Sequence, residues 1–466
     1  MPKRNLIWAV AIVAAALVAL VFVRNHSPDG VSRVGSEGPV SRALRTIQES
    51  YLYEADEKEL QREAVRAVVE RLDPHSSYFP PGAAKELDDR IDGQAFGLGM
   101  YVECSGGKVL VIGPLPDSPA WRAGIQCGDQ ILEINGTDVT TLGEQEIQAL
   151  LHPRPKKKNE PLELRIRRNG AKPPKIKVTP GEYPVESVKG LFRDSNGLWV
   201  YLLPDGKESL VYVRIREFLP RTQERVQEVL RRFDSARGVI LDLRENPGGR
   251  LPIAIEVGNF FLRSGVIVVI ETRSKSEQHK AASPGTFPQR IPMVVLVDAQ
   301  TASGAELVAA ALQYHDRAVL VGTRTRGKGC VQSMISLDGD LGQINLTTAE
   351  FYVDPLRRIA RRSGSDVWGV DPHVEVILPP AVQNSLRRLR MRAEVLTRAA
   401  SATRPASAET QSGPEEIAER LLERDGQIRR AVELLNHPDE MARILAGAAK
   451  ARAARRQEHE ERSGER

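Results

Sequence analysis

Two runs constrain this chain more than any others: Gly238–Leu243 (GVILDL) and Met293–Val297 (MVVLV) are almost wholly apolar, and Val266–Ile270 (VIVVI) adds a third. Strands of this kind are buried on both faces, so flanking helices must cover them. Leu307, Ala310, Ala311 and Tyr314 keep helical spacing and supply one such helix directly after the last run. At 466 residues the chain exceeds one core, and a division into roughly two to four domains is expected. Its 66 Lys+Arg against 61 Asp+Glu leave a formal charge of only +5, which excludes tethering to nucleic acid by bulk charge. Three cysteines, Cys104, Cys127 and Cys330, cannot build a disulfide framework and show no CxxC spacing for zinc. The fold must rest on apolar burial.

The rest of the chain divides by texture. Leu6 to Val23 is an uninterrupted apolar run preceded by Lys3 and Arg4. Its length is near the minimum for crossing a bilayer core about 30 Å thick. No small-residue cleavage pattern follows it, so residues 1–24 read as an uncleaved signal anchor, a single transmembrane helix with the remaining chain outside the inner face, in preference to the alternative of a cleaved signal peptide. Residues 25–39 are rich in Gly, Ser and Pro and read as a linker. Residues 40–88 open with two amphipathic helical patterns that end at Pro74. Short strand-like runs separated by Gly and Pro turns fill 89–183, and the apolar strands with their helices fill 184–380. Residues 381–466 are helix-patterned and charged, and read as a solvated extension.

Within 89–183, Phe96-Gly97-Leu98-Gly99-Met100 precedes the strands, and Ala123-Gly124-Ile125-Gln126-Cys127-Gly128-Asp129-Gln130-Ile131-Leu132-Glu133-Ile134-Asn135-Gly136 follows. Glycines let a backbone approach an anion, and an open sheet edge beyond them can accept an added strand. The stretch resembles a PDZ domain. The resemblance implies that the amides of Gly97, Leu98, Gly99 and Met100 hold a peptide's terminal carboxylate.

In the larger region the run Val294–Val297 leads through Asp298-Ala299-Gln300-Thr301-Ala302-Ser303-Gly304-Ala305-Glu306 into the helix. A hydroxyl at a helix N-terminus sits in a field that favours developing negative charge. Gly327-Lys328-Gly329 lies 25 positions after Ser303, and Asp242-Leu243-Arg244-Glu245-Asn246-Pro247-Gly248-Gly249 follows the first apolar strand. Singly, Ser303 reads as an N-cap and Lys328 as a solvated charge. Together, and with Leu72-Asp73-Pro74-His75-Ser76 and Gly369-Val370-Asp371-Pro372-His373, they resemble the carboxyl-terminal processing (tail-specific) proteases over roughly residues 40–380.

That resemblance implies a Ser–Lys peptidase with Ser303 as nucleophile, Lys328 as base and Gln332 orienting the amine. It also implies an oxyanion hole from the amides of Gly248, Gly249 and Gly304, and an architectural role for Glu306. A lysine base works only when neutral, and its ordinary pKa of about 10.4 must fall by about three units, about 4 kcal/mol, which burial can supply. Gly304-Ala305 departs from the family's usual small pair, and Arg324 and Arg326 are more basic than the family leads one to expect.

A Ser–His–Asp hydrolase is disfavoured because His315 lies twelve residues beyond Ser303, on or past the same helix. A zinc enzyme lacks an HExxH pattern. The rival of another class is a catalytically silent, membrane-tethered PDZ scaffold, which has no use for the Ser–Lys pair. The expected fold is multidomain α/β: a crotonase-like α/β serine-protease core with an inserted PDZ domain, an N-terminal helical segment and a helical C-terminal tail. The expected function is a membrane-anchored serine endopeptidase on the extracytoplasmic side of the inner membrane that cleaves proteins near apolar C-terminal tails. No metal, cofactor or nucleic acid is implied, and a homo-oligomer is permitted.

Overall fold

The computed structural model describes residues 38–464 apart from 82, 84–91, 106, 152–159, 169–170, 172–174, 195, 205–208, 282–286, 339 and 396–412. The chain forms two compact units: the residues up to Pro81 together with Ser336–Ile344, and Gly82–Ile335 together with Asn345–Arg466. The apolar run Leu6–Val23 lies outside the described residues. Among those described, no helix is long and apolar enough to cross a membrane.

In the first unit, α1 (Pro39–Ser50) starts on a proline and buries none of its residues. The Asp56 carboxylate caps α2 (Glu57–Glu70) by accepting from the Lys58 and Glu59 amides. The turn after α2 is held by Asp73, which accepts from the His75 and Ser76 amides and the Ser76 hydroxyl. This delivers β1 (Ser77–Phe79), whose Tyr78 hydroxyl donates to the Leu341 carbonyl at 2.6 Å.

The second unit opens with β2 (Gln94–Gly97), β3 (Met100–Ser105), β4 (Lys108–Pro114), α3 (Pro119–Arg122), β5 (Gln130–Ile134), β6 (Thr137–Asp138), α4 (Glu144–Leu151), β7 (Leu162–Arg167), β8 (Ile176–Val178) and β9 (Gly181–Pro184). The strands pair in the order β3-β4-β5-β7-β8, with β6 beside β5, and β2 pairs separately with β9. Val109, Val111, Ile131, Ile134, Leu164 and Ile166 fill this module's core. The aspartate of its Gly128-Asp129 turn is buried and paired to Arg168 at 2.7 Å, which explains why a carboxylate stands there.

Next come β10 (Val188–Lys189), β11 (Phe192–Arg193), β12 (Trp199–Val200), β13 (Leu210–Ile215), α5 (Thr222–Arg231), β14 (Gly238–Asp242), α6 (Leu251–Phe261), β15 (Val266–Thr272), β16 (Ser276–Lys280), β17 (Met293–Val297), α7 (Gly304–Tyr314), β18 (Val319–Gly322), β19 (Cys330–Ser336), β20 (Gln343–Tyr352) and β21 (Val374–Glu375). The main sheet runs β10-β13-β14-β17-β18-β21, parallel from β13 onward and closed at one edge by antiparallel β10. Its alternation decides which helix covers which face. Val211, Val213, Val239, Leu241, Val295 and Val297 pack with α5, α6 and α7. Tyr212, Ile240, Val294, Leu296, Val319 and Val321 pack the other way.

That second face is covered by α8 (Pro380–Glu394), α9 (Pro414–Arg424) and α10 (Gly426–Asn436), ahead of the long α11 (Pro438–Gly464). Leu386, Ile417, Leu421, Ile428, Ala431, Leu434 and Leu435 are buried there. The reading of 381–466 as a solvated extension is therefore corrected, because without these helices one side of an apolar sheet would face water. Val266–Ile270 forms part of β15, which pairs antiparallel with β16 and β20 in a second sheet, outside the parallel one; Ile267, Val268 and Val269 are buried, and Val266 and Ile270 are half-buried.

A buried ionic cluster ties the C-terminal helices to the sheet. Arg244 donates to both oxygens of Asp242, at 2.9 and 2.7 Å, and to Asp425 at 3.0 Å. Asp425 also takes Arg390 at 2.9 Å and caps α10 through the Gln427 and Ile428 amides. Although burial disfavours its charge, Arg244 and Arg214 hold the Asp242 carboxyl far below the usual carboxylate range. Removing one member of such a cluster leaves charge without compensation. Asp425→Ala should cost about 3–5 kcal/mol in equilibrium denaturation; a loss below about 1 kcal/mol would show that the cluster does not hold the helices.

His373 gives a second test. Its Nδ1 accepts the Leu320 amide at 2.9 Å, and burial lowers its pKa to about 4, with Asp316 opposing and Arg452 adding to the effect. A folded pKa below the unfolded value of about 6.5 means that this stability is intact above pH 6.5 and drains away as pH falls toward 4. His373→Asn keeps an acceptor for the Leu320 amide but does not titrate. Its urea midpoint should fall less between pH 7 and pH 4.5 than the wild type's, and equal slopes would contradict the assignment.

Candidate active site

The loops after β14 and β17 lie side by side at the carboxyl ends of two adjacent parallel strands, where open α/β sheets place their ligands. Asp298 organises the second loop, its Oδ1 accepting from the Gln300 and Thr301 amides at 3.0 and 2.9 Å. The same oxygen takes the Glu245 amide of the first loop at 3.0 Å, and the Thr301 hydroxyl donates to the Leu243 carbonyl at 2.9 Å. Ser303 ends this turn with φ 55° and ψ −122°, and α7 begins at the next residue. A non-glycine residue in that region costs on the order of 1–3 kcal/mol and persists only where its surroundings over-determine it. A sharp strand–turn–helix holding a strained serine is how a hydroxyl is presented at the top of a sheet.

Glu306, on the first turn of α7, is fully buried and over-determines the geometry. Its Oε2 accepts the Ser303 amide at 2.9 Å and the Lys328 amide at 2.8 Å. Its Oε1 accepts the Thr325 hydroxyl at 2.5 Å and the Gly327 amide at 2.6 Å. Burial pushes the carboxyl above the ordinary glutamate value, and these four hydrogen bonds work against that rise. The carboxylate thus binds the backbone of both candidate catalytic residues and contacts neither of their functional groups. Thr325 extends the tie by accepting the Val370 amide at 2.8 Å.

Lys328 is half-buried, and no carboxylate among the described residues pairs with its ammonium. The glycine after it is required by space: a Cβ on Gly329 would lie 2.4 Å from the Ala360 nitrogen. Arg324 pairs with Asp371 and lies 4.5 Å from the Trp368 ring, while Arg326 is exposed.

Two of the expected site residues sit differently from expectation. The Gly248 backbone does lie against Ser303, since a Cβ there would come 2.7 Å from the Ser303 Cβ. Its amide, however, donates to Asn246 Oδ1 at 2.8 Å, so it is not free to receive an oxyanion. Among the described residues, the Gly249 and Gly304 amides have no such acceptor. Gln332 is the second correction. Its Nε2 donates to Cys330 Sγ at 3.0 Å and Thr347 Oγ1 at 3.3 Å, not to Lys328, because β19 turns the side chain toward β20.

Sequence reasoning passed over Thr325 and Asp298, which carry no chemistry and announce themselves only through what they hold. Asn246 lay inside a quoted motif, and its reason is now visible: Nδ2 binds the Ile215 carbonyl, and its own carbonyl accepts the Ala302 amide.

In the smaller module, the Leu98 and Gly99 carbonyls accept from the Ala120 and Leu115 amides, both at 2.8 Å, which fixes the loop from Gly97 to Met100. Cys104, Cys127 and Cys330 form no disulfide with one another. No group of three or more His, Cys, Asp or Glu side chains among the described residues could hold a metal ion.

Residues 209–376 match a family model described as peptidase family S41, and residues 110–168 match one described as a PDZ domain. A carboxy-terminal-processing protease of Bartonella bacilliformis is 30% identical over 389 residues, covering 80% of this chain and 82% of the relative. The carboxy-terminal processing protease CtpA of Bacillus subtilis is 30% identical over 378 residues, covering 79% and 76%. A carboxyl-terminal-processing protease of Synechocystis is 29% identical over 368 residues, covering 74% and 82%. Identity of this extent, spread over most of both chains, makes this chain a member of the carboxy-terminal processing protease family, peptidase family S41, and a serine-type peptidase with protein substrates.

Proposed function

We propose that Ser303 and Lys328 form the catalytic dyad of an endopeptidase that trims proteins near their C-termini, and that residues 89–183 capture the substrate's tail. The observation that carries the dyad is the single Glu306 oxygen accepting the amides of both residues, beside the Gly248–Gly249 turn. A silent scaffold leaves that buried clamp and the strained Ser303 without a purpose.

In the mechanism, neutral Lys328 takes the Ser303 proton as Oγ attacks the scissile carbonyl carbon. The tetrahedral oxyanion is held by the Gly249 and Gly304 amides, which are preorganised and cost no rearrangement. Lys328 then returns the proton to the leaving amine, an acyl-enzyme remains, and a water activated by the same lysine releases the acid. Tail capture draws on the loop from Gly97 to Met100, whose carbonyls are engaged inward at Ala120 and Leu115. We read the parallel sheet with its second, smaller sheet, spanning 184–380, as a crotonase-like core. We further read Leu6–Val23 as a membrane anchor, with the catalytic part on the extracytoplasmic side.

Ser303→Ala and Lys328→Ala should each abolish product formation from a tailed model protein, read by mass spectrometry, while binding of a tail peptide persists. Lys328→Arg should be equally inactive, since a guanidinium does not give up its proton in proteins. Full cleavage by any of the three would sink the dyad. Glu306→Ala leaves several buried donors without an acceptor. Displacement of the two catalytic residues should then lower kcat by about a hundredfold with tail binding intact; an unchanged kcat would refute the clamp.

A further inference from the structure

The helix α8 belongs to no motif, yet its side chains reach both functional loops. Arg387 donates to Glu245 Oε1 at 3.2 Å, and Glu245 is the positive-φ residue that starts the turn carrying Gly248 and Gly249. Seven residues on, two turns and about 10 Å along the same face, stands Glu394. Its Oε2 accepts the Tyr101 hydroxyl at 3.2 Å and pairs with Lys189. Its Oε1 lies 3.9 Å from Arg214, and Arg214 in turn donates to Glu245 at 2.7 Å. Arg193 caps the helix by donating to the Glu394 carbonyl at 2.9 Å.

Tyr101 directly follows the loop Gly97–Met100 and pairs across the strands with Gly113. Val395 fills the space there: a Cβ on Gly113 would come 2.6 Å from the Val395 Cβ. The last turn of α8 is therefore seated on the strand pair that carries the candidate tail-binding loop, while Arg387 grips the candidate oxyanion loop.

We propose that α8 is a strut coupling the tail-binding loop to the oxyanion loop, with Glu394 as the positioning residue that registers a captured tail; this rests on the tail-capture reading above. Glu394 is nearly buried and shared among Tyr101, Lys189 and Arg214, so its charge must keep partners at all times. A shift of Tyr101 on tail capture redistributes the carboxylate toward Lys189 and Arg214. Arg214 then moves Glu245, and Glu245 moves the Gly248–Gly249 turn. Two sites joined through one packed helix and a continuous chain of ion pairs have a physical route for such coupling.

The test uses the full chain and two synthetic peptides with one scissile sequence and one apolar tail, ending in a free carboxylate or in a carboxamide. For the wild type, kcat should be higher on the carboxylate peptide. In Glu394→Gln the carboxylate-to-carboxamide ratio of kcat should drop roughly fivefold or more, with the carboxamide rate and the tail affinity (by fluorescence anisotropy) held within about twofold. Tyr101→Phe removes one hydroxyl and should act in the same direction, and it decides the matter if Glu394→Gln does not fold. A wild type that treats both peptides alike overturns the capture reading and the strut with it. A discriminating wild type whose variants discriminate equally well overturns the strut alone.

Discussion

The active-site geometry depends on one buried carboxylate. Glu306 sits where burial opposes its charge, and it is retained because four donors converge on it from two segments, the Ser303 turn and residues 325–328, that would otherwise drift apart. Two of those donors are the amides of Ser303 and Lys328, meeting at one oxygen atom. The carboxylate never touches the amine it positions, so it does not favour the protonated lysine by direct pairing. It supplies architecture at close range. The strain at Ser303 is tolerable for the same reason, since Glu306 from the helix and Asp298 from the preceding turn fix the backbone on either side.

Around that clamp the charged groups are paired with one another. Asp371 pairs with Arg324, whose guanidinium also lies over the Trp368 ring. Asp242, Arg244, Asp425 and Arg390 form a buried cluster that fastens the C-terminal helices to the sheet. Glu245 lies between this cluster and the site; burial opposes its charge, but Arg214, Arg390, Arg216 and Arg387 hold its pKa at about 2. The loop that carries Gly249 is thereby anchored to a helix more than a hundred residues away in sequence.

Much of this was legible in the sequence, for identifiable reasons. The two-sided apolar runs of β14 and β17 announced a covered parallel sheet, and the small residues around Ser303 announced a tight strand-to-helix turn. What escaped was long-range. The string of arginines in α8 reads as solvent-facing, but Arg390 is turned inward by Asp425, 35 residues later, and no local pattern signals such a partner. The Gly248 amide was claimed for the oxyanion on motif grounds, whereas Asn246, two residues earlier, takes it to shape the turn. Gln332 was placed by its spacing from Lys328, but a strand alternates its side chains, and this one faces β20.

The claim that this clamp presents a working serine beside its base can be tested without any knowledge of the natural substrate. A fluorophosphonate probe should give a single covalent adduct, mapped by peptide mass to Ser303, and in Lys328→Ala the labelling rate should fall by roughly a hundredfold or more. An adduct on another residue, or an unchanged rate in the lysine variant, would contradict the account.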